Sequence, residues 1–267
     1  MLSSAFCFSL MTVCVKEVGG RVPVAEIVLV RSVVSVVLSL VLLRRAGISP
    51  WGNRRGLLVL RGLLGSLALL AVFAALTRLP LAAATLLQYT YPTLTALMAW
   101  LWLAEPVRSK LWLAMALGWL GVLLVAQPGG GQPLDPIGVT VALTGALFTA
   151  LAYVSVRALG TSEHPHVIVF YFPLISIPLS LPLVLLAPVF PTGRELGWMV
   201  AVGIFTQLGQ LGLTRGLLSL PAARATALSY AQVAFAAFWG WWIFGESLTP
   251  MTLAGAALIL AASLLNR

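Results

Sequence analysis

Few residues in this chain are equipped for chemistry, and they sit in apolar company. Arg31 lies inside the apolar run 23–43, where a guanidinium costs about 2.5–3.5 kcal/mol if that run crosses a bilayer. Such a charge must face inward and find partners. Glu26 is the nearest acid, but five residues is about 140° around a helix, so the two do not share a face. Arg31 either lines a cavity, where it attracts a carboxylate or phosphate, or ties its helix to carbonyls of a neighbour. Glu26, one turn into the run, is expected at a wet interface, with a protonatable coupling residue as the alternative. Arg61, one turn into the next run, is expected to snorkel to the membrane surface.

A second set is polar and neutral. Gln88, Tyr89 and Tyr91 precede Pro92 in one apolar run, and Ser229, Tyr230 and Gln232 occupy matching places in another. Amides and hydroxyls at one depth can hold a polar molecule, together with Tyr153 and Gln207. They can also serve as interhelical hydrogen bonds, worth about 0.6–2 kcal/mol each. Gln207 and Gln210 are three apart and share a helix face, which Thr214 continues; Gly212 and Gly216 form a small-xxx-small packing pair. The expected binding residues are therefore Arg31, Gln88, Tyr89, Tyr91, Tyr153, Gln207, Tyr230 and Gln232. Pro92, Pro173 and Pro178 are expected gating positions, because a proline removes an intrahelical hydrogen bond; a static kink, also at Pro182, is the alternative.

Other chemistry lacks its residues. His164 and His166 flank Pro165 without further ligands nearby, so no metal site is expected, and nothing calls for a cofactor. The 7 acids are scattered mostly at the ends of apolar runs, which does not supply the clustered acid–base set of an enzyme. No GxxxxGK[ST] loop is present to bind ATP. Cys7 and Cys14 stand about 10 Å apart on a helix, too far for a disulfide, and read as packing residues. The net charge of +9 comes from cations that punctuate apolar runs, a pattern that orients a chain in a bilayer and argues against nucleic acid. Trp100, Trp102, Trp112, Trp119, Trp239, Trp241 and Trp242 read as interfacial belts and packing.

The elements that position these groups are membrane helices. Of 267 residues, 60% are hydrophobic and only 9% charged, with a mean hydropathy of +1.03. A soluble domain carries about 25% charge to stay hydrated. About twenty apolar residues cross a bilayer, which gives ten spans near 1–17, 23–43, 57–77, 81–103, 110–126, 137–157, 165–187, 197–217, 222–244 and 250–266. Continuous apolar runs without alternation exclude a barrel. The first run carries its cations, Lys16 and Arg21, after rather than before it, unlike a signal peptide.

A shift of 141 residues superimposes the two halves without a gap. Ala5 meets Ala146, Lys16 meets Arg157, Thr85 meets Thr226, Tyr89 meets Tyr230, Trp100 meets Trp241 and Glu105 meets Glu246; ten of the 27 positions from 79 to 105 are identical. Two five-helix repeats, 1–126 and 137–267 joined by a linker 127–136, follow. Five is odd, so the second repeat enters the membrane inverted, an architecture of secondary transporters. With the N-terminus inside, nine cations face the cytoplasm (Arg44, Arg45, Arg54, Arg55, Arg108, Lys110, Arg157, Arg215 and Arg267) against four outside (Lys16, Arg21, Arg78 and Arg194), so both termini are expected to be cytoplasmic. The partner of Ile137 would precede Met1, so a start truncated by several residues is expected. Glu105 and Glu246, at the ends of spans 4 and 9, oppose the helix dipole and need donors, for which the next helix starts at Ser109 and Thr249 are the candidates.

The stretch Leu79-Pro80-Leu81-Ala82-Ala83-Ala84, with Tyr91-Pro92 and Trp102-Leu103-Ala104-Glu105, resembles the pattern of EamA-type drug/metabolite transporters. A second copy runs Leu220-Pro221-Ala222-Ala223-Arg224-Ala225 and Phe244-Gly245-Glu246-Ser247-Leu248-Thr249, so the resemblance covers the whole chain; Val233 stands where the first copy has Pro92. The resemblance implies ten helices and a cavity lined by spans 1–4 and 6–9, with 5 and 10 peripheral. It also implies secondary transport, by alternating access across the inner membrane, of a small polar metabolite such as an amino acid or related compound, in the export direction. An organic anion or nucleotide-type metabolite is the alternative substrate, and a passive channel the remaining reading. The smooth face at Ala254-Gly255-Ala256-Ala257 suits either a homodimer or packing within one chain.

Overall fold

The computed structural model describes residues 1–18, 21–76, 78–79, 81–106, 109–126, 134–245 and 250–265. Gly19, Pro80, Arg108, Glu246 with the Thr249 cap, most of the linker and Arg267 lie outside them. The described residues form helices and no strand: α1 Leu2–Val18, α2 Val24–Arg45, α3 Arg55–Leu76, α4 Leu81–Gln88, α5 Tyr91–Leu103 and α6 Ser109–Ala126, then α7 Pro136–Leu159, α8 Pro165–Leu186, α9 Gly193–Ser219, α10 Ala222–Ala227, α11 Ala231–Phe244 and α12 Pro250–Leu265. Five of these (α2, α3, α7, α8 and α9) are long and apolar enough to cross a membrane alone. Leu, Val and Ile point outward along them, for example Val37, Leu60, Leu147 and Leu208, as expected where the surrounding solvent is lipid.

Span 4 is interrupted in the middle and span 9 tightens there into a 3-10 turn, which their apolar sequences do not announce. In the first half α4 ends at Gln88, two turn residues follow, and α5 begins at Tyr91; the Thr90 hydroxyl donates to the Leu87 carbonyl at 2.7 Å. In the second half, Leu228–Tyr230 form a single 3-10 turn between α10 and α11. The two breaks fall at positions related by the 141-residue shift. Pro92 lies in the first turn of α5, where a missing N–H costs nothing. The second break occurs with Val233 in its place, so the proline is not its cause. In α8, by contrast, Pro173, Pro178 and Pro182 leave one continuous helix.

Packing repeats the symmetry. α1 crosses α9 as α7 crosses α3, α2 meets α9 as α8 meets α3, and α5 meets α7 as α11 meets α1. The crossings use equivalent small residues. A Cβ on Gly62 would lie 2.7 Å from Ile175, and one on Gly203 would lie 2.6 Å from Val34, the position equivalent to Ile175. Gly145 packs on Ala71, and Gly212 on Ser4, their shifted counterparts. The halves are thus related by a pseudo-twofold axis, with most strong contacts running between repeats.

Ion pairs agree with alternate crossing. Arg21 pairs with Glu195, Arg194 with Glu17, Arg78 with Asp135, and Arg157 with Glu105. Each joins segments that ten successive crossings put on one membrane face. Outside the membrane, the Glu195 carboxylate raises the Arg21 guanidinium above its ordinary value by hydrogen bonding. On the face of the 46–54 connector, the Glu163 carboxylate accepts from the Asn53 and Arg54 amides, at 2.7 and 2.5 Å, and so caps α3 from the other repeat.

Glu105 is compensated differently from expectation. Its carboxylate accepts from Arg157 Nε at 2.6 Å and from the Ala222 amide at 2.8 Å. The donors come from α7 and from the start of α10, across the repeat boundary, rather than from the neighbouring Ser109. The smooth face of α12 is used inside the chain: Gly255 meets α6 at Gly121, whose Cβ would stand 2.7 Å from the Gly255 carbonyl.

Candidate functional site

A cavity of about 240 Å³ lies between the repeats. Its walls come from α1, α2, α3, the α4–α5 break, α7, α8, α9 and α11, while α6 and α12 contribute nothing among the described residues. These are spans 1–4 and 6–9. Drug-sized pockets occupy about 300–1,000 Å³, so the cavity suits a metabolite below that size.

The broken spans supply the polar wall. Because α4 stops at Gln88, the side chains of Gln88, Tyr89 and Tyr91 leave the helical repeat and turn to the cavity. Gln88 Nε2 donates to Thr149 Oγ1 at 3.1 Å, while its Oε1 is buried with no partner among the described residues. Tyr91 meets Tyr153 edge to face at 5.5 Å and lies 5.9 Å from Tyr89, so the three rings form one aromatic cluster. Such pairs contribute about 0.5–1.5 kcal/mol beyond area burial. Gln232, equivalent to Tyr91, also reaches the cavity.

Two guanidiniums supply the charge. Arg31 is 7% exposed; its guanidinium carbon stands 5.3 Å from the Phe172 ring centroid, and its Nε is buried without a partner among the described residues. Arg61 is 1% exposed, stands 5.0 Å from the same ring, and donates to Gln210 Oε1 at 3.2 Å. Arg61 therefore does not snorkel. Its position on α3 turns it toward the cavity, and Phe172 and Gln210 receive it there. Each cation–π contact is worth about 0.5–2 kcal/mol, which does not offset a buried charge. No carboxylate lines the cavity among the described residues.

Of the residues singled out in the sequence, Arg31, Gln88, Tyr89, Tyr91, Tyr153 and Gln232 come together on this wall. Gln207 does not: it is buried and donates to Ser39 Oγ at 2.8 Å, holding α9 to α2. Tyr230 lies behind Tyr89, fully buried and stacked on it at 5.9 Å. Pro92 is buried beside the break, while Pro173 and Pro178 follow Phe172 on α8. Glu26, in the first turn of α2, is 9% exposed, with Oε2 buried and without a partner among the described residues. Sequence depth placed Glu26 near a helix end but could not give its direction around the helix. No group of three or more metal-ligating side chains occurs among the described residues.

Several proteins similar to this chain carry the names of transporters. The chain is 34% identical over 261 residues to the pseudopaline exporter CntI of Pseudomonas aeruginosa (strain UCBPP-PA14), covering 97% of this chain and 91% of that protein. It is 27% identical over 279 residues to human solute carrier family 35 member G1, covering 98% of this chain and 76% of that one. It is 29% identical over 235 residues to a riboflavin transporter of Rhizobium johnstonii, covering 85% and 75%. A crystal structure of a protein only 19% identical superposes with a TM-score of 0.88 over 98% of this chain and 93% of that one, a likeness of fold. The model of the EamA-like transporter family matches twice, over residues 1–127 and 136–267. With a polar cavity between two inverted repeats and that family matched in each half, the chain is a multi-pass membrane transporter and not an enzyme, and it belongs to the EamA-like transporter family.

Proposed function

We propose that this protein is a secondary transporter that exports a small polar metabolite, an amino acid or related compound, across the inner membrane, with both termini in the cytoplasm. The observation that carries the reading is the cavity on the pseudo-twofold axis, walled by eight spans from both repeats and flanked by the interrupted span 4 and the 3-10 turn of span 9. Broken helices at mid-depth present backbone and side-chain polar groups to a substrate, and rocking of one repeat against the other exposes such a site to each face in turn. Arg31, Gln88, Tyr89, Tyr91, Tyr153 and Gln232 contact the substrate; Tyr230 supports Tyr89 from behind. Pro92, Pro173 and Pro178 flank the moving segments. Export is supported by the name of the 34%-identical pseudopaline exporter, and the cytoplasmic termini by the nine-to-four distribution of cations.

The test is counterflow in proteoliposomes. Vesicles preloaded with one compound from a panel of amino acids and organic acids are diluted into its labelled form. Transient accumulation above equilibrium, lost in Tyr89→Ala, is the expected result. Flux that never exceeds equilibrium, and ignores the compound on the opposite side, would make the protein a passive channel.

A further inference from the structure

We propose that the central cavity takes an anion with at least two separated negative groups, a compact dicarboxylate or larger polycarboxylate, one group on Arg31 and another on Arg61. The proposal rests on the transport reading and specifies its substrate class.

Both guanidiniums approach one ring, at 5.3 and 5.0 Å from the Phe172 centroid, which bounds their separation at about 10 Å. They arrive from opposite directions. Arg31 lies about two turns into α2 and Arg61 about two turns into α3; consecutive spans run antiparallel, so these starts are on opposite membrane faces. Two cations converging from opposite sides suit a ligand charged at both ends.

The described residues offer them no counter-charge. Among the described residues the cavity wall holds no carboxylate, the Nε atoms of both arginines are buried without partners, and the only side-chain acceptor is the neutral Gln210 amide on Arg61. A buried cation in a lipid-spanning protein must be paired or neutralised, and a planar guanidinium matches a carboxylate with two parallel hydrogen bonds. A neutral substrate leaves both charges uncompensated. A simple zwitterion compensates one and brings a third cation into the cavity. Only a ligand with a second negative group satisfies the pair.

The repeat makes this charge specific to one half. The positions equivalent to Arg31 and Arg61 in the second repeat are Phe172 and Val202. The neutral amides and hydroxyls of Gln232, Tyr91 and Tyr153 remain for the rest of the substrate.

The experiment compares succinate with succinamate, its half-amide of nearly equal size, by thermal unfolding of the purified full-length protein in detergent. Ionic strength is held constant with sodium chloride, and neutral succinamide serves as control. The expected result is stabilisation by succinate at a concentration at least tenfold lower than by succinamate, and none by succinamide. Arg31→Gln and Arg61→Gln should each reduce succinate to the succinamate level. Equal responses to succinate and succinamate, or no response to either, would overturn the proposal; this comparison uses the wild-type protein and does not depend on a variant folding. A neutral or cationic compound moved in the counterflow assay would also sink the dianion while leaving transport standing.

Discussion

Tyr89 and Tyr230 stack face to face, with ring centroids 5.9 Å apart and planes 26° from parallel, and each is the other's equivalent in the internal repeat. The Tyr230 hydroxyl donates to the Tyr89 carbonyl at 3.4 Å, inside the break of span 4. A residue that touches its own repeat partner marks the pseudo-twofold axis. Arg31 and Phe172 are a second such pair, 5.3 Å apart. The axis therefore passes through the cavity, and the tyrosine pair is the joint at which the two broken spans meet.

Removing one ring of that joint should be costly. Tyr230 is fully buried, so Tyr230→Ala is expected to destabilise by about 3–5 kcal/mol, as large aromatic deletions in cores do. Tyr230→Phe keeps the ring and removes only the hydroxyl, with its long hydrogen bond to the Tyr89 carbonyl and its side-chain hydrogen bond with Thr93, and should cost about 1–2 kcal/mol. Thermal unfolding midpoints in detergent rank the two; equal losses would mean that the hydroxyl, not the ring, holds the joint.

The pseudo-twofold axis also predicts paired responses. Gly62 faces Ile175 and Gly203 faces Val34, with hypothetical Cβ contacts of 2.7 and 2.6 Å, so an added methyl must push a β-branched side chain or backbone aside in both places. Gly62→Ala and Gly203→Ala should each destabilise by about 1–3 kcal/mol. The two should agree within about 1 kcal/mol, since both overpack a core of native density. A large loss at one and none at the other would show that the halves do not share their packing.

Much of this architecture was legible in the sequence, because identity at a fixed shift does not depend on three-dimensional knowledge. Tyr89 on Tyr230, Thr85 on Thr226 and Trp100 on Trp241 reveal two copies of one fold. The cavity set was legible in part: polar groups beside Pro92 pointed to Gln88, Tyr89 and Tyr91. Arg61 was misread for a physical reason. Distance from a helix end gives depth, whereas the side of the helix a residue faces depends on which neighbours pack there, and an apolar helix in lipid has little amphipathic pattern to reveal it. The helix breaks were hidden because a broken span is as apolar as a continuous one. The partner of Glu105 was out of reach because Arg157 lies 52 residues away and belongs to the other repeat.

That pair makes its own prediction. Glu105 and Arg157 are 17% and 28% exposed, so solvent screens them only in part, and Glu105 also accepts from the Ala222 amide. Glu105→Gln is expected to cost about 1–3 kcal/mol, since it removes the charge paired with Arg157 Nε while Arg157 Nη1 keeps its hydrogen bonds to the Leu217 and Leu218 carbonyls. Arg157→Met alone should cost a similar amount, and the double variant clearly less than the sum. A double-mutant cycle on unfolding midpoints measures the coupling; strict additivity would mean that the two side chains do not act on each other.

Arg31 should separate stability from function. Its guanidinium is buried over the Phe172 ring, and among the described residues its Nε has no partner and no acid pairs with it, so in the empty protein it is a cost rather than a support. Arg31→Gln is therefore expected to keep or raise the unfolding midpoint while lowering transport at least tenfold, which corresponds to the loss of about 1.4 kcal/mol of substrate interaction. Arg31→Lys should restore little, because an ammonium cannot form the two parallel hydrogen bonds of a guanidinium. Unfolding midpoints and counterflow rates measured on the same preparations decide the matter. A lowered midpoint with transport intact per folded molecule would make Arg31 a structural tie between helices, and the search for the charge that selects the substrate would move to Arg61.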